Sequence, residues 1–261
     1  MWYTDDTEMT IGVAETLIAA GDVVESELCR AFVANYVPSR GYGWGARAVL
    51  SAMEDGEDYG AVAQEYFPGG SYGNGAAMRV APVGLLFGDD LDRVAKQAGL
   101  SALPTHVHPL GIEGARLIAL AVAILSRTDR FDRQSLLDRL IERGETPEFR
   151  DKLARIRTIS SATDLAELGN GIEAIQSVPT AIAAFCLAPD SYQQAVGNVI
   201  LLGGDTDTLA AMTGALSGAY LGRPGVPERI VSLLETSPKG RDYLIRLAGA
   251  LHERCLSRRT K

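Results

Sequence analysis

Wherever apolar residues of this chain cluster, they recur at helical spacing, and convincing two-residue alternation is absent. A pattern of that period puts side chains on one face of a helix but scatters them over both faces of a strand, so it constrains the fold more than any composition figure. Met9, Val13, Thr16, Leu17 and Ala20 share one face before Gly21-Asp22 stops the pattern. Leu28, Phe32 and Tyr36 continue in four-residue steps to Pro38, and a helix over roughly 44–54 is predicted after the glycine-rich run Ser39–Gly45. The spacing returns at Leu91, Val94, Ala95 and Ala98, at Leu117, Leu120, Ala121 and Ile124, and at Leu136, Leu137, Leu140 and Ile141. It closes the chain at Ile230, Leu233 and Leu234, then Leu244, Leu247, Leu251 and Cys255. Only Val199–Leu202 could serve as a short strand, so the fold class is all-α. No solenoid-period repeat and no low-complexity linker divides the sequence, which predicts one domain over 1–261.

Particular residues refine this expectation. Gly214, Gly218 and Gly222 fall four apart, as do Ala211, Ala215 and Ala219, and two stripes of small residues predict a central helix closely approached by its neighbours. Pro179 suits a first helical position and predicts a helix running into Thr180–Leu187. The basic end Arg258-Arg259-Thr260-Lys261 predicts a frayed terminus, and the charged stretch 127–160 a solvated surface.

A length of 261 residues with 46% hydrophobic content allows a sizeable core in a globular protein. The formal charge of −8 argues against gripping a phosphate backbone by bulk charge, so direct nucleic-acid binding is not expected. Cys29, Cys186 and Cys255 are odd in number and lack metal-site spacing, which suits reduced, structural thiols. Met1-Trp2-Tyr3 runs straight into an acidic turn with no basic-then-apolar leader, and Asp205 and Asp207 interrupt the most apolar stretch, Val199–Gly222. The expectation is a cytoplasmic protein with no membrane partner. Nothing in the sequence selects an oligomeric state.

Two acidic turns carry the chemistry. Tyr3-Thr4-Asp5-Asp6-Thr7-Glu8 opens the chain and Gly203-Gly204-Asp205-Thr206-Asp207-Thr208 lies near its end, each ahead of a helical pattern. Asp and Thr are favoured helix caps, and Asp5 with Glu8 has capping-box spacing, so each turn alone has a structural reading. Brought together, the turns would offer hard oxygen donors suited to magnesium, manganese or calcium, without the spacing of an EF-hand. Between them, Pro68–Gly75 gathers turn formers around Tyr72 and gives way to a buried helix start at Ala76–Val80. Such a loop is either a plain connection or a backbone cradle for phosphate. His106 and His108 would point to opposite sides of an extended loop, where one could hydrogen-bond in a site; zinc is disfavoured for want of further soft ligands.

In Tyr3–Thr7, Gly70–Arg79, Thr105-His106, Leu168–Ile172, Ser177–Ala181 and Gly203–Thr208, the chain resembles the ADP-ribosylglycohydrolases, which include dinitrogenase-reductase-activating glycohydrolase. The motifs fall in the family's order over residues 3 to 222, and Ser71-Tyr72-Gly73-Asn74-Gly75 and Gly169-Asn170-Gly171-Ile172 look most like the branch acting on ADP-ribosylserine and poly(ADP-ribose). The resemblance implies a single-domain orthogonal helical bundle with a central two-metal cleft that cleaves at the anomeric carbon of ADP-ribose in ADP-ribosylated protein or poly(ADP-ribose). It implies two Mg2+ ions, or Mn2+, held by Thr4, Asp5, Asp6, Asp205, Asp207 and Thr208, with Asp5 or Asp6 as the proton acceptor. Gly41, Ser71, Gly73, Asn74, Gly75 and His106 would bind the diphosphate and neighbouring ribose, and Tyr72 and Ile172, with Tyr66 or Phe67, the adenine end. The family's usual first helix and a glutamate-bearing loop have no counterpart in this sequence, which predicts an uncovered bundle face and a first turn free to fray. The alternative is a non-catalytic ADP-ribose binder or a structural protein derived from the family.

Overall fold

Glycine and proline punctuate the helical spacing into fifteen α-helices and three short 3-10 helices in the computed structural model, which describes residues 1–259. The first seven are α1 Asp5–Ala20, α2 Glu25–Asn35, α3 Trp44–Asp55, α4 Tyr59–Tyr66, α5 Gly75–Met78, α6 Ala81–Phe87 and α7 Leu91–Ala102. Then come α8 Pro109–Leu125, α9 Arg133–Arg143, α10 Pro147–Arg155, α11 Ala174–Leu187, α12 Tyr192–Leu202, α13 Thr206–Gly225, α14 Glu228–Ser232 and α15 Arg241–Arg259. Among the described residues the only β pairing is a single bridge between Gly73 and Glu173, so the all-α expectation holds and Val199–Leu202 is helical. No helix among them is long and apolar enough to cross a membrane.

The centre of the bundle is α8. It is apolar nearly all round: from Gly114 to Leu125 every residue except Arg116 is buried, and α5, α6, α7, α11 and α13 pack on it. A helix apolar on every face has no solvent side and must sit inside. α13, with its small-residue stripes, lies beside the centre. Gly214 meets the Tyr192 ring of α12, but a side chain at Gly218 would touch nothing, and Gly222 turns to φ 67° and breaks the helix. α8, α11 and α12 pack on α13, and Ala215 and Ala219 lie against the core, as the stripes predict; of the three glycines only Gly214 meets a neighbouring helix.

Pro179 also departs from expectation, lying inside α11 rather than opening it. The Glu173 carbonyl already accepts from Gln176 and Ser177 N–H groups at 3.0 Å, so the helix starts a turn and a half earlier. The proline's missing N–H then costs the helix one bond. At the other end of the chain, Arg258 is docked, its guanidinium donating to the Leu86 carbonyl at 2.5 Å and lying 4.4 Å from the Phe87 ring centre. The rest of the expected frayed tail, Thr260 and Lys261, lies outside the described residues.

Candidate active site

The N-termini of α1 and α13 meet. One ligand oxygen from each of Asp5, Asp6 and Asp207 lies within 4.8 Å of the others, although two of these residues come from one end of the sequence and one from the other. Neither turn uses its side chains as helix caps: Thr4 and Asp205 hold the cap positions and neither side chain bonds the helix backbone. The Thr4 hydroxyl instead donates to Asp6 Oδ2 at 2.6 Å, and Asp205 Oδ2 accepts from Asn74 Nδ2 at 2.6 Å. The capping-box reading of Asp5 and Glu8 fails likewise, because the Glu8 carboxylate accepts from the Val37 N–H and the Tyr42 hydroxyl.

The electrostatics of this cluster are strained in one direction. Burial, then the charges of Asp6 and Asp207, push the Asp5 carboxyl up to about 7. Burial also raises Asp6 to about 6 against the opposing Thr4 hydrogen bond, and burial raises Asp205. Asp6 is 2% exposed, and its Oδ1 has no hydrogen-bond partner. A buried carboxylate oxygen left unpaired beside two other acids is costly unless a cation neutralises it. The donors are all hard oxygens, with no thiol or imidazole in the group. This is the chemistry of a hard-cation site.

The first turn is held by contacts that reach across the sequence, so the expectation of fraying is not met. Arg40 forks onto Glu235 at 2.5 and 2.9 Å and donates to the Tyr3 carbonyl at 3.0 Å. Its guanidinium lies 3.9 Å from the Tyr3 ring centre, and Glu235 accepts in turn from the Tyr3 N–H at 3.0 Å. A planar fork on a carboxylate fixes geometry as well as charge.

A cleft of about 340 Å³ runs from the carboxylates, taking Asp5, Asp205, Asp207 and Thr208 on its wall and leaving buried Asp6 behind them. Gly41 and all of Ser71–Gly75 line it, together with His106 and Ile172. Every substrate-binding residue expected from sequence therefore faces one cavity with the acidic turns. The loop carrying Ser71–Gly75 is clasped from behind by the second Gly-Asn-Gly loop: Asn74 N–H donates to the Ile172 carbonyl at 2.9 Å and Ala174 N–H to the Tyr72 carbonyl at 3.0 Å. Asn170 extends the clasp, its carbonyl accepting from the Asp205 N–H at 2.9 Å. One short loop thus registers the backbone cradle against the acidic turn. Gly70, at φ 95°, passes so close that a β-carbon there would meet the His108 backbone nitrogen at 2.6 Å, which only glycine avoids.

The two histidines separate as their alternation implies. His106 is buried against the Gly73–Gly75 backbone, while His108 Nδ1 caps α8 by accepting from the Leu110 N–H at 3.2 Å, and its ring meets Tyr72 edge-on at 5.7 Å. At the mouth, Tyr72 and Ile172 are exposed, and Trp44 sits edge-on to Tyr66 at 4.9 Å and tilted over Phe67 at 5.8 Å. Sequence reasoning gave no role to Trp44, Asn170 or Arg79; the available signals were an aromatic inside the glycine run, the asparagine of a Gly-Asn-Gly turn and a cation among apolar neighbours. A larger cavity, about 690 Å³, lies between α1, α6 and α15, but its lining is mostly aliphatic and brings no group of acids together.

The profile of the ADP-ribosylglycohydrolase family matches residues 1–261. This chain belongs to that family. Its glycohydrolase relatives include ADP-ribosylhydrolase ARH3 of Homo sapiens, 39% identical over 87% of this chain and 73% of the relative. ADP-ribosylhydrolase ARH3 of Gallus gallus is 36% identical over 96% and 77% of the two chains. A solved structure described as an ADP-ribosylglycohydrolase-related protein complex superposes with a TM-score of 0.77 at 24% identity, covering 97% of this chain and 81% of that one, and supports the glycohydrolase fold. The family resemblance carried by the motifs is thereby established, and with it the enzyme class.

Proposed function

We propose that this glycohydrolase is magnesium-dependent and cleaves the glycosidic bond at the anomeric carbon of ADP-ribose in ADP-ribosylated protein or poly(ADP-ribose). The observation that carries the proposal is the convergence of Asp5, Asp6 and Asp207 with an unpaired oxygen on buried Asp6, at one end of a cleft whose wall is a glycine-rich backbone loop. The curated relatives named ADP-ribosylhydrolase supply the substrate class. Asp5, Asp6, Asp205 and Asp207, with Thr4 and Thr208, would hold two magnesium ions, and manganese would suit the same donors. Bound there, the metal would supply Lewis acidity and lower the pKa of water.

The remaining work falls to the chain's own residues. Ser71, Gly73, Asn74, Gly75 and Gly41, with His106 on the same cleft wall, would hold the diphosphate and its neighbouring ribose, and Tyr72 and Ile172 the adenine end. Asp5, on the cleft wall, or Asp6, buried behind it, would accept the proton of the attacking water. The bond cleaved at the anomeric carbon would pass through an oxocarbenium-like transition state. The test is release of ADP-ribose from serine-ADP-ribosylated protein and from poly(ADP-ribose), with and without chelator; turnover that continues unchanged in chelator sinks the metal-dependent scheme.

A further inference from the structure

Among the described residues Arg79 is the largest fully buried side chain, 1% exposed, and no carboxylate pairs with it. Its Nη2 donates to the Ser101 carbonyl at 3.0 Å and to Thr105 Oγ1 at 2.9 Å, and its guanidinium lies 4.5 Å from the Phe32 ring centre. Burial draws its pKa down to about 9, so it remains a cation at neutral pH. A buried, unpaired charge is expensive to keep, and one whose hydrogen bonds end on a cleft residue invites a functional account.

The bonds run in a single direction. A guanidinium has donors and no acceptor, so Thr105 Oγ1 accepts from Arg79. Thr105 Oγ1 lies 2.7 Å from His106 Nδ1, which is the one other partner of that hydroxyl among the described residues. The threonine proton, facing away from the cation, therefore points at Nδ1 and needs a lone pair there. Burial, reinforced by the Arg79 charge, holds the imidazole pKa down at about 3, so the ring is neutral and carries one proton. That proton is on Nε2. No protein acceptor among the described residues partners Nε2, which faces the Gly73–Gly75 turn: a β-carbon on Gly75 would stand 3.4 Å from it, and the ring lines the cleft.

We infer that Arg79 and Thr105 are positioning residues that lock His106 in the Nε2–H tautomer, turning it into a fixed neutral donor for an acceptor oxygen of the ligand in the cleft. The inference rests on the ADP-ribose reading only for the ligand's identity. A neutral donor with one orientation needs no proton uptake and no rotamer search when an anion arrives, which a free histidine would need. Because the donor chain begins at a cation that cannot accept, the Nδ1–H tautomer would leave the Thr105 proton without a partner in the interior.

The test uses the full chain labelled with 15N-histidine, whose three histidines give a simple long-range 1H–15N spectrum. His106 should show a protonated Nε2 and an unprotonated Nδ1 in ligand-free protein. Thr105→Val, close in shape, should shift the ring toward a tautomer mixture and weaken ADP-ribose binding about tenfold by calorimetry, while Thr105→Ser restores both. An Nδ1–H ring in the wild type, or a spectrum unchanged by Thr105→Val, overturns the inference. A changed tautomer with undiminished affinity overturns the donor role. Wild-type protein that binds no ADP-ribose would instead overturn the proposed function, while the tautomer is still decided by the ligand-free spectrum.

Discussion

The two ends of the cleft solve opposite electrostatic problems. At the carboxylate end, like charges are pressed together and a buried Asp6 oxygen has no partner, so the site is incomplete without something from outside the chain. At the His106 end, the buried Arg79 charge is spread over a carbonyl, a hydroxyl and an aromatic face, and the polar chain ends in a donor facing the cavity. On the proposed reading the first end gains a cation and the second meets an anion without changing its own charge. A ligand with hydroxyls at one extremity and phosphates further along matches that polarity.

The sharpest way to break the comparison is to remove charge from the acidic end. Asp6→Asn should lower ADP-ribose release at least ~10³-fold, because it removes both a cation donor and a candidate proton acceptor. The same substitution should raise the metal-free melting temperature, since it relieves a buried, unpaired carboxylate. Activity lost with stability gained marks a site kept for function; a variant that loses both would show that the cluster holds the fold together instead. Release assays and thermal unfolding in chelator measure the two arms.

Acid and base should act on the two ends with opposite sign. Asp5 and Asp6 titrate higher in the folded chain, about 7 and about 6, than the ordinary 3.8, so between those values the folded state holds more protons than the unfolded one. Their contribution to the stability of metal-free protein is therefore present at low pH and is lost as pH rises from about 4 through 7. His106 titrates near 3 rather than 6.5, so the unfolded state holds the extra proton and stability is lost as pH falls from 6.5 toward 3. Saturating magnesium should abolish the loss on the alkaline side, raising the melting temperature by several degrees at pH 8 and little at pH 5. An equal magnesium shift at both pH values would break the link between the cation and these carboxylates.

The sequence made the helical class legible because periodicity survives in almost every segment, and α8 is buried for the same reason that its apolar residues leave no polar face. Interior geometry was less legible. A glycine stripe reports permission for close approach, and only Gly214 of the three has a neighbour using it. Pro179 reads as a helix start because its missing N–H is harmless there, yet six residues into α11 it loses only one bond. At the site, each acidic turn alone was equally consistent with a cap. What separates the readings is whether the side chains bond their own helix, a tertiary fact: Asp205 turns to Asn74 and Thr4 to Asp6. The Arg79 chain was invisible for a different reason. Its partners come from Ser101, Thr105 and His106, and the direction of its hydrogen bonds depends on distances no spacing encodes.

The mouth of the cleft offers the smallest and most selective test, because it belongs to neither end. Trp44 is 66% exposed, yet it is braced edge-on by Tyr66 and stacked obliquely on Phe67, so an apolar wall is presented to solvent. An aromatic contact of this kind contributes about 0.5–1.5 kcal/mol beyond its buried area. Trp44→Ala should therefore weaken ADP-ribose binding by about three- to tenfold and leave kcat nearly unchanged, since the contact is made equally before and during bond cleavage. The loss should be the same in magnesium as in chelator if the wall acts on the end of the ligand remote from the carboxylates. A Trp44→Ala effect that appears only with magnesium would instead couple the wall to the acidic end, and the division of the cleft into independent regions would fail.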